Sequence, residues 1–122
     1  MASTKAVTAI WSSQTLTAAA GDSTSSVVVL DDGYGAALHV KLTNGATGPT
    51  VAAQVQVQVS ADNSEWYDFG FPMVGTTTNS DVSSWGGIEI PMGVEYLRLV
   101  AGSNTGQNVT VDADISEVTA LS

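Results

Sequence analysis

The stretch "QVQVQV" at residues 54–59 constrains this chain more than any other. Val55, Val57 and Val59 alternate with Gln54, Gln56 and Gln58. Successive side chains of a strand point to opposite faces, so the valines share one side and the amides the other. A helix would spread the valines around its axis. The segment reads as a half-buried antiparallel strand with a valine core face. Its second face is polar without being charged, and what that face meets bears on function.

The same alternation recurs. Residues 36–43 put Leu38, Val40 and Leu42 on one face and His39, Lys41 and Thr43 on the other. Residues 95–101 turn Leu97 and Leu99 inwards and Tyr96 and Arg98 outwards, and residues 108–118 turn Val109, Val111, Ala113 and Ile115 inwards. Shorter β-prone runs lie at 5–11, 25–30, 65–71 and 88–91. Turn chemistry separates them. "DDGYG" and "SADNS" suit tight turns, and "NGATGP" begins with Asn44-Gly45, the strongest short hairpin signal. The strands flanking Asn44-Gly45 are therefore predicted to pair, and "GSNTGQ" at 102–107 is predicted to make the last hairpin. Residues 72–87 read as a long exposed loop. No amphipathic helix is present. About eight short strands at regular spacing specify an all-β fold, an antiparallel β-sandwich of jelly-roll or Ig-like type. At 122 residues the chain is expected to form a single domain, with residues 1–24 as an N-terminal arm plus first strand.

Charge restricts the partners. Twelve acids against Lys5, Lys41 and Arg98 leave a net charge of −9. Nucleic acid and anionic membrane are not expected as partners, because both select clustered Lys and Arg. Charged residues make up 12% of the chain, about half the usual share, while 28 residues are serine or threonine, so the surface is largely hydroxyl and amide. There is no cysteine, which fits assembly inside a cell better than a disulfide scaffold. The first eleven residues resemble neither a signal peptide nor a membrane span.

Chemistry is sparse. A nucleophilic site needs a nucleophile, a base and an orienting group. The single histidine, His39, sits in a strand between Leu38 and Val40, with no cysteine and no "GxSxG" elbow anywhere. One histidine and no cysteine also disfavour zinc. Asp112 and Asp114 share a strand face and Asp31 and Asp32 share a turn. Either pair could help bind calcium, but neither has EF-hand spacing, and both read as a solvated face and turn chemistry. No cofactor or metal site and no enzymatic activity are expected.

The aromatic residues are more informative. Tyr67, Phe69 and Phe71 lie two apart and are predicted to fill the core edge, with Trp66 pointing the other way. Trp66 and Tyr67 together form a candidate platform for stacking on sugar. Trp85 stands in "SSWGG" among small residues and needs a covering surface, its own or a neighbour's. With Gln54, Gln56, Gln58 and Trp11 it makes up the candidate interface.

Three stretches carry a resemblance: "TNGATGPTVAAQVQVQVS", "SADNSEWYDFG" and "VEYLRLVAGSNTGQNVTVDADISEV". Together they resemble small β-sandwich virion proteins of tailed bacteriophages, of the capsid-decoration, head-fibre or tail-component type. The resemblance implies a structural protein of the virion, assembled in the host cytoplasm and packing on other virion proteins as a homo-oligomer. The cadence "V-x-V-S-x-D…W" also resembles discoidin-like carbohydrate-binding modules, which implies the alternative of a glycan-binding module on a tail fibre or appendage. Scarcity of lysine and proline agrees with covered sheet edges, since soluble monomers commonly guard edges with those residues.

Overall fold

The computed structural model describes residues 3–30 and 34–121. These residues form ten strands and no helix. They are β1 (Ser3–Leu16), β2 (Ser23–Thr24), β3 (Val28–Val29), β4 (Ala36–Asn44), β5 (Gln54–Ser60), β6 (Tyr67–Asp68), β7 (Met73–Val74), β8 (Val82–Ile90), β9 (Tyr96–Gly102) and β10 (Val109–Leu121). They build two antiparallel sheets. The four-stranded sheet has the order β1-β10-β4-β8. The six-stranded sheet is centred on β9 and β5, with β2 and β3 along the free side of β9 and β6 and β7 along the free side of β5. The fold is the antiparallel β-sandwich read from the alternation. Four two-residue strands raise the number above eight.

The core lies where the alternation puts it. Leu38, Val40 and Leu42 of β4 and Val109, Val111, Ala113 and Ile115 of β10 are buried against Val55 and Val57 of β5 and Leu97, Leu99 and Ala101 of β9. Val59 is partly buried and packs on the same cluster. Each fully buried aliphatic side chain contributes about 1.5–3 kcal/mol of transfer free energy, so one wrong register would cost the whole face. Gln58 pairs with Arg98 and Gln56 with Val100, which sets the amides on the outer face of the six-stranded sheet.

Both predicted hairpins at 44–49 and 102–107 are corrected. β4 and β5 lie in different sheets, as do β9 and β10. At each of these turns the chain crosses the sandwich, and a buried asparagine fastens the crossing. Asn44 Nδ2 donates to the carbonyl oxygens of Thr76 (3.0 Å) and Thr78 (2.8 Å). Asn104 Nδ2 donates to those of Leu16 and Gln107, both at 2.9 Å. The two crossings also pair with each other: Thr50 N donates to Thr105 O (2.7 Å) and Thr105 N to Val51 O (3.3 Å). A Cβ on Gly48 would run into the backbone carbonyl of Thr77, so this close approach requires glycine. Asn-Gly marks a turn, but the burial of Leu38, Val40 and Leu42 against β5 decides that the chain changes layer instead of folding back in plane.

Residues 72–87 are also corrected. They contain β7 and the first part of β8, the edge strand paired to β4. A bulge falls between the pairs Leu38–Ile88 and Val40–Trp85. Gly87 adopts φ +66°, which suits an unpaired glycine there, and Gly86 leaves room for the His39 imidazole, whose Cδ2 would lie 3.4 Å from an added Cβ. The alternation was hard to see because two glycines and two serines interrupt the apolar positions of this strand.

Candidate functional site

Four aromatic side chains are placed by the sequence of β6 to β8, with different outcomes. β5 turns back at Asp62, whose Oδ1 accepts from the backbone N–H groups of Ser64 and Glu65, both at 2.9 Å. These bonds hold the Asp62 carboxyl below its ordinary value of 3.8, the Glu65 N–H contributing most. The turn delivers β6, after which the chain leaves the sheet over residues 69–72 and returns as β7. Phe69 alone packs on the core, its N–H donating to Val57 O at 2.8 Å. Tyr67 is 63% exposed and Phe71 95% exposed, so the predicted core edge of three aromatics reduces to one. Pro72 has no N–H to give to the ladder, which suits an excursion at a sheet edge.

The excursion opens the side of the sandwich. Across from it, Trp85 and Ile88 of β8 are partly buried and lean on the core. Between the two sheets lies an apolar mouth of about 440 Å³, lined among others by Phe69, Phe71, Met73, Val74, Trp85 and Ile88, with no charged group in its wall. Trp85 thus stands on a strand and forms one lip of an opening. Phe71 and Val74, at the other lip, were missed from sequence. The signal was there in "FGFPMV", an apolar run too irregular for a strand.

The glutamine face connects to this mouth. Gln56 Nε2 donates to the carbonyls of Val57 (2.9 Å), Phe69 (3.4 Å) and Gly70 (3.3 Å), so it holds the excursion that carries Phe71. Gln58 Nε2 donates to Asp68 Oδ1 (3.2 Å), and Gln58 Oε1 accepts from Arg98 Nε (2.8 Å). The Arg98 guanidinium lies 4.3 Å from the centroid of the Trp66 ring. Gln54 continues the face and is half-buried, opposite Gly102. Amides serve here because each can donate to one strand and accept from another. Trp11 lies away from this cluster, on β1 opposite Ala113, half-buried against the core.

The outer face of the four-stranded sheet carries the remaining polar groups. His39 Nδ1 lies 3.2 Å from Asp114 Oδ1, both side chains about half exposed, beside a shallow groove of about 320 Å³ that Lys41 and Asp112 also line. Asp112 Oδ1 accepts from Ser13 N at 2.8 Å. Asp31 and Asp32 lie outside the described residues. Among the described residues no three His, Asp or Glu side chains form a metal-binding group.

No protein-family model matches the chain. No curated protein matches it in sequence. Solved structures do match in fold. A chain of infectious bursal disease virus, Gx strain, superposes with a TM-score of 0.55 at 11% identity over 93% of this chain, which spans 31% of that one. A chain of the Bacillus endospore appendages, described as disulfide-linked pili, gives 0.52 at 10% identity, with 98% and 93% of the two chains covered. The K1 cleaved adhesin domain of Lys-gingipain from Porphyromonas gingivalis gives 0.51 at 13% identity, with 83% and 63% covered. At these identities the likeness is one of fold: an antiparallel β-sandwich that viral, appendage and adhesin chains share.

Proposed function

We propose that this chain is a non-enzymatic structural protein of a bacteriophage virion, a capsid decoration or cement subunit that packs as a symmetric oligomer on other virion proteins. The observation that carries the reading is the uncharged mouth with Phe71 at 95% exposure on one lip and Trp85 on the other. A large aromatic held in water on a rim forfeits apolar burial unless a partner covers it, and such anchors dominate interface energetics. The fold likeness to a virus chain and to pilus chains accords with this reading.

The second reading is a carbohydrate-binding module on a tail fibre or appendage. The exposure of Tyr67 beside Trp66 favours it, while Arg98 takes up one stacking face of the Trp66 indole. The two readings separate in one experiment. Purified virions from the genome encoding the chain are assayed for it by mass spectrometry, with wild type, Phe71→Ser and Trp85→Ala expressed in turn. Phe71→Ser is expected to keep its melting temperature and lose at least about tenfold in particle uptake. Trp85→Ala is expected to lose both uptake and some stability. Absence of the wild-type chain from virions, together with glycan-array binding abolished by Trp66→Ala or Tyr67→Ala, overturns the first reading in favour of the second.

A further inference from the structure

We propose that copies of this chain join edge to edge through the four-stranded sheet, β1 of one copy pairing with β8 of the next. The inference rests on the reading of the chain as a multi-copy structural protein and names the surface by which copies meet.

Strand direction permits the pairing. Each neighbouring pair in β1-β10-β4-β8 is antiparallel, so the two edge strands run in opposite directions. A second copy added in the same orientation therefore presents its β1 antiparallel to the first copy's β8, and the ladder continues unchanged. Both edges are long, at 14 and 9 residues, and no other described strand pairs with their free sides. Exposed edges of this length are templates for strand addition unless guarded. β1 is guarded by register shifts around Trp11 and by Ser13 at φ +49°, but its pairing is regular from Lys5 to Ala9, where Val7 is 71% exposed. β8 is guarded by its bulge at Gly86–Gly87 and by Pro91 just after it, but its pairing is regular from Ile88 to Ile90, where Glu89 lies.

Charge selects this pairing over its rivals. β1 contains Lys5 and no acid, and β8 contains Glu89 and no base. A two-fold pairing of β1 with β1 brings no acid to Lys5, and β8 with β8 brings no base to Glu89. The mixed pairing brings opposite charges together. Register places them: Val7 is opposite Ser116, Ser116 opposite Ala37, and Ala37 opposite Glu89. In a sheet continued along that row, Val7 of one copy faces Glu89 of its neighbour, and Lys5, two residues on and on the same face, is the diagonal partner of that Glu89. Elsewhere a net charge of −9 opposes contact between copies. A head-to-tail contact of this kind closes into a ring or runs on as a filament.

The test uses the full chain, which has no cysteine of its own. Val7→Cys and Glu89→Cys variants, made distinguishable in mass, are mixed under mild oxidation. Directly opposite strand residues come within reach of a disulfide, so the mixed dimer is expected to exceed either homodimer by about tenfold. In sedimentation, Lys5→Glu and Glu89→Lys are each expected to weaken self-association about five- to tenfold, and an equimolar mixture of the two to restore it. Homodimers of Val7→Cys in excess overturn the proposal in favour of a two-fold β1 contact. A wild-type chain that stays monomeric, together with Val7→Cys and Glu89→Cys variants that form no mixed disulfide, overturns it outright. Virion content is read separately: mixed crosslinking by a chain absent from virions removes the virion reading and leaves the edge pairing standing, and presence in virions with unaltered association of both charge variants does the reverse.

Discussion

Trp11 and Trp85 occupy the two ends of one cross-strand row, Trp11 opposite Ala113, Ala113 opposite Val40, and Val40 opposite Trp85. Both indoles are half-buried and lean on the same core. Their surroundings differ because the six-stranded sheet is interrupted differently on its two sides. Between β2 and β3 the break is sealed by Ser25, whose N–H donates to Leu99 O (2.8 Å) while its Oγ accepts from Leu99 N (2.9 Å). Between β6 and β7 the break is a four-residue excursion with Pro72 in it and Phe71 in solvent. The same residue in the same row thus packs on the core at one edge of the sheet and frames an opening at the other. The difference is that Ser25 itself bonds both backbone groups of Leu99 within its break, whereas the excursion reaches β5 through the Phe69 N–H and is tethered by the Gln56 amide from the outer face.

The severest test of the sealed side is Asn104→Ala. Asn104 is 2% exposed and is the donor to Leu16 O, at the end of β1. Removing it strands the buried carbonyl of Leu16 and releases that of the exposed Gln107, and a loss of about 2 kcal/mol is expected in urea unfolding. A loss below about 1 kcal/mol would mean that water reaches this crossing and that the side is less sealed than its geometry implies. Comparable in size is Trp11→Ala. A half-buried tryptophan is expected to cost about 2 kcal/mol, close to the cost of Trp85→Ala. Particle uptake should fall only for Trp85→Ala, and an equal fall for both would break the comparison by making the two sides functionally alike. The smallest effect belongs to Asp62, in the turn that leads to the open side. Its carboxyl is held down by backbone N–H groups, so its contribution is complete above the ordinary value of 3.8 and is lost as pH falls through the lower folded value. Asp62→Asn is expected to flatten acid unfolding below about pH 4 while leaving stability at pH 7 slightly reduced.

The layers of the sandwich could be read from sequence wherever period-two alternation was unbroken. Val55, Leu38, Leu99 and Val111 point inwards as that pattern requires, and the register of the glutamines follows. Pairing partners could not be read the same way. Asn44-Gly45 and Gly102 to Gln107 have turn chemistry, but turn chemistry specifies local dihedrals and says nothing about which sheet the chain enters next. At both places the asparagine is spent on carbonyls more than thirty residues away in one case, Thr76 and Thr78, and on Leu16 in the other. Of the candidate site, Trp85 and Gln56 were legible as residues in want of a partner. Phe71 was not, because its exposure depends on a strand break that propensity does not mark.

The pairing of β1 with β10 also has a consequence in time. Ser13 and Asp112 are hydrogen-bonded and 99 residues apart in the chain. At ribosomal speeds of about 5–20 residues per second, β1 waits roughly 5–20 s after its own synthesis before the stretch it pairs with exists. The four-stranded sheet cannot close during that interval, and its formation is governed by one of the longest loop closures the chain can make, which places folding in the slow regime of non-local β topologies. Throughout the wait β1 is a ready strand without a mate. A chain that has just completed β10 is therefore able to capture the free β1 of a neighbour still emerging on the same message, and low ribosome density should favour the unexchanged product.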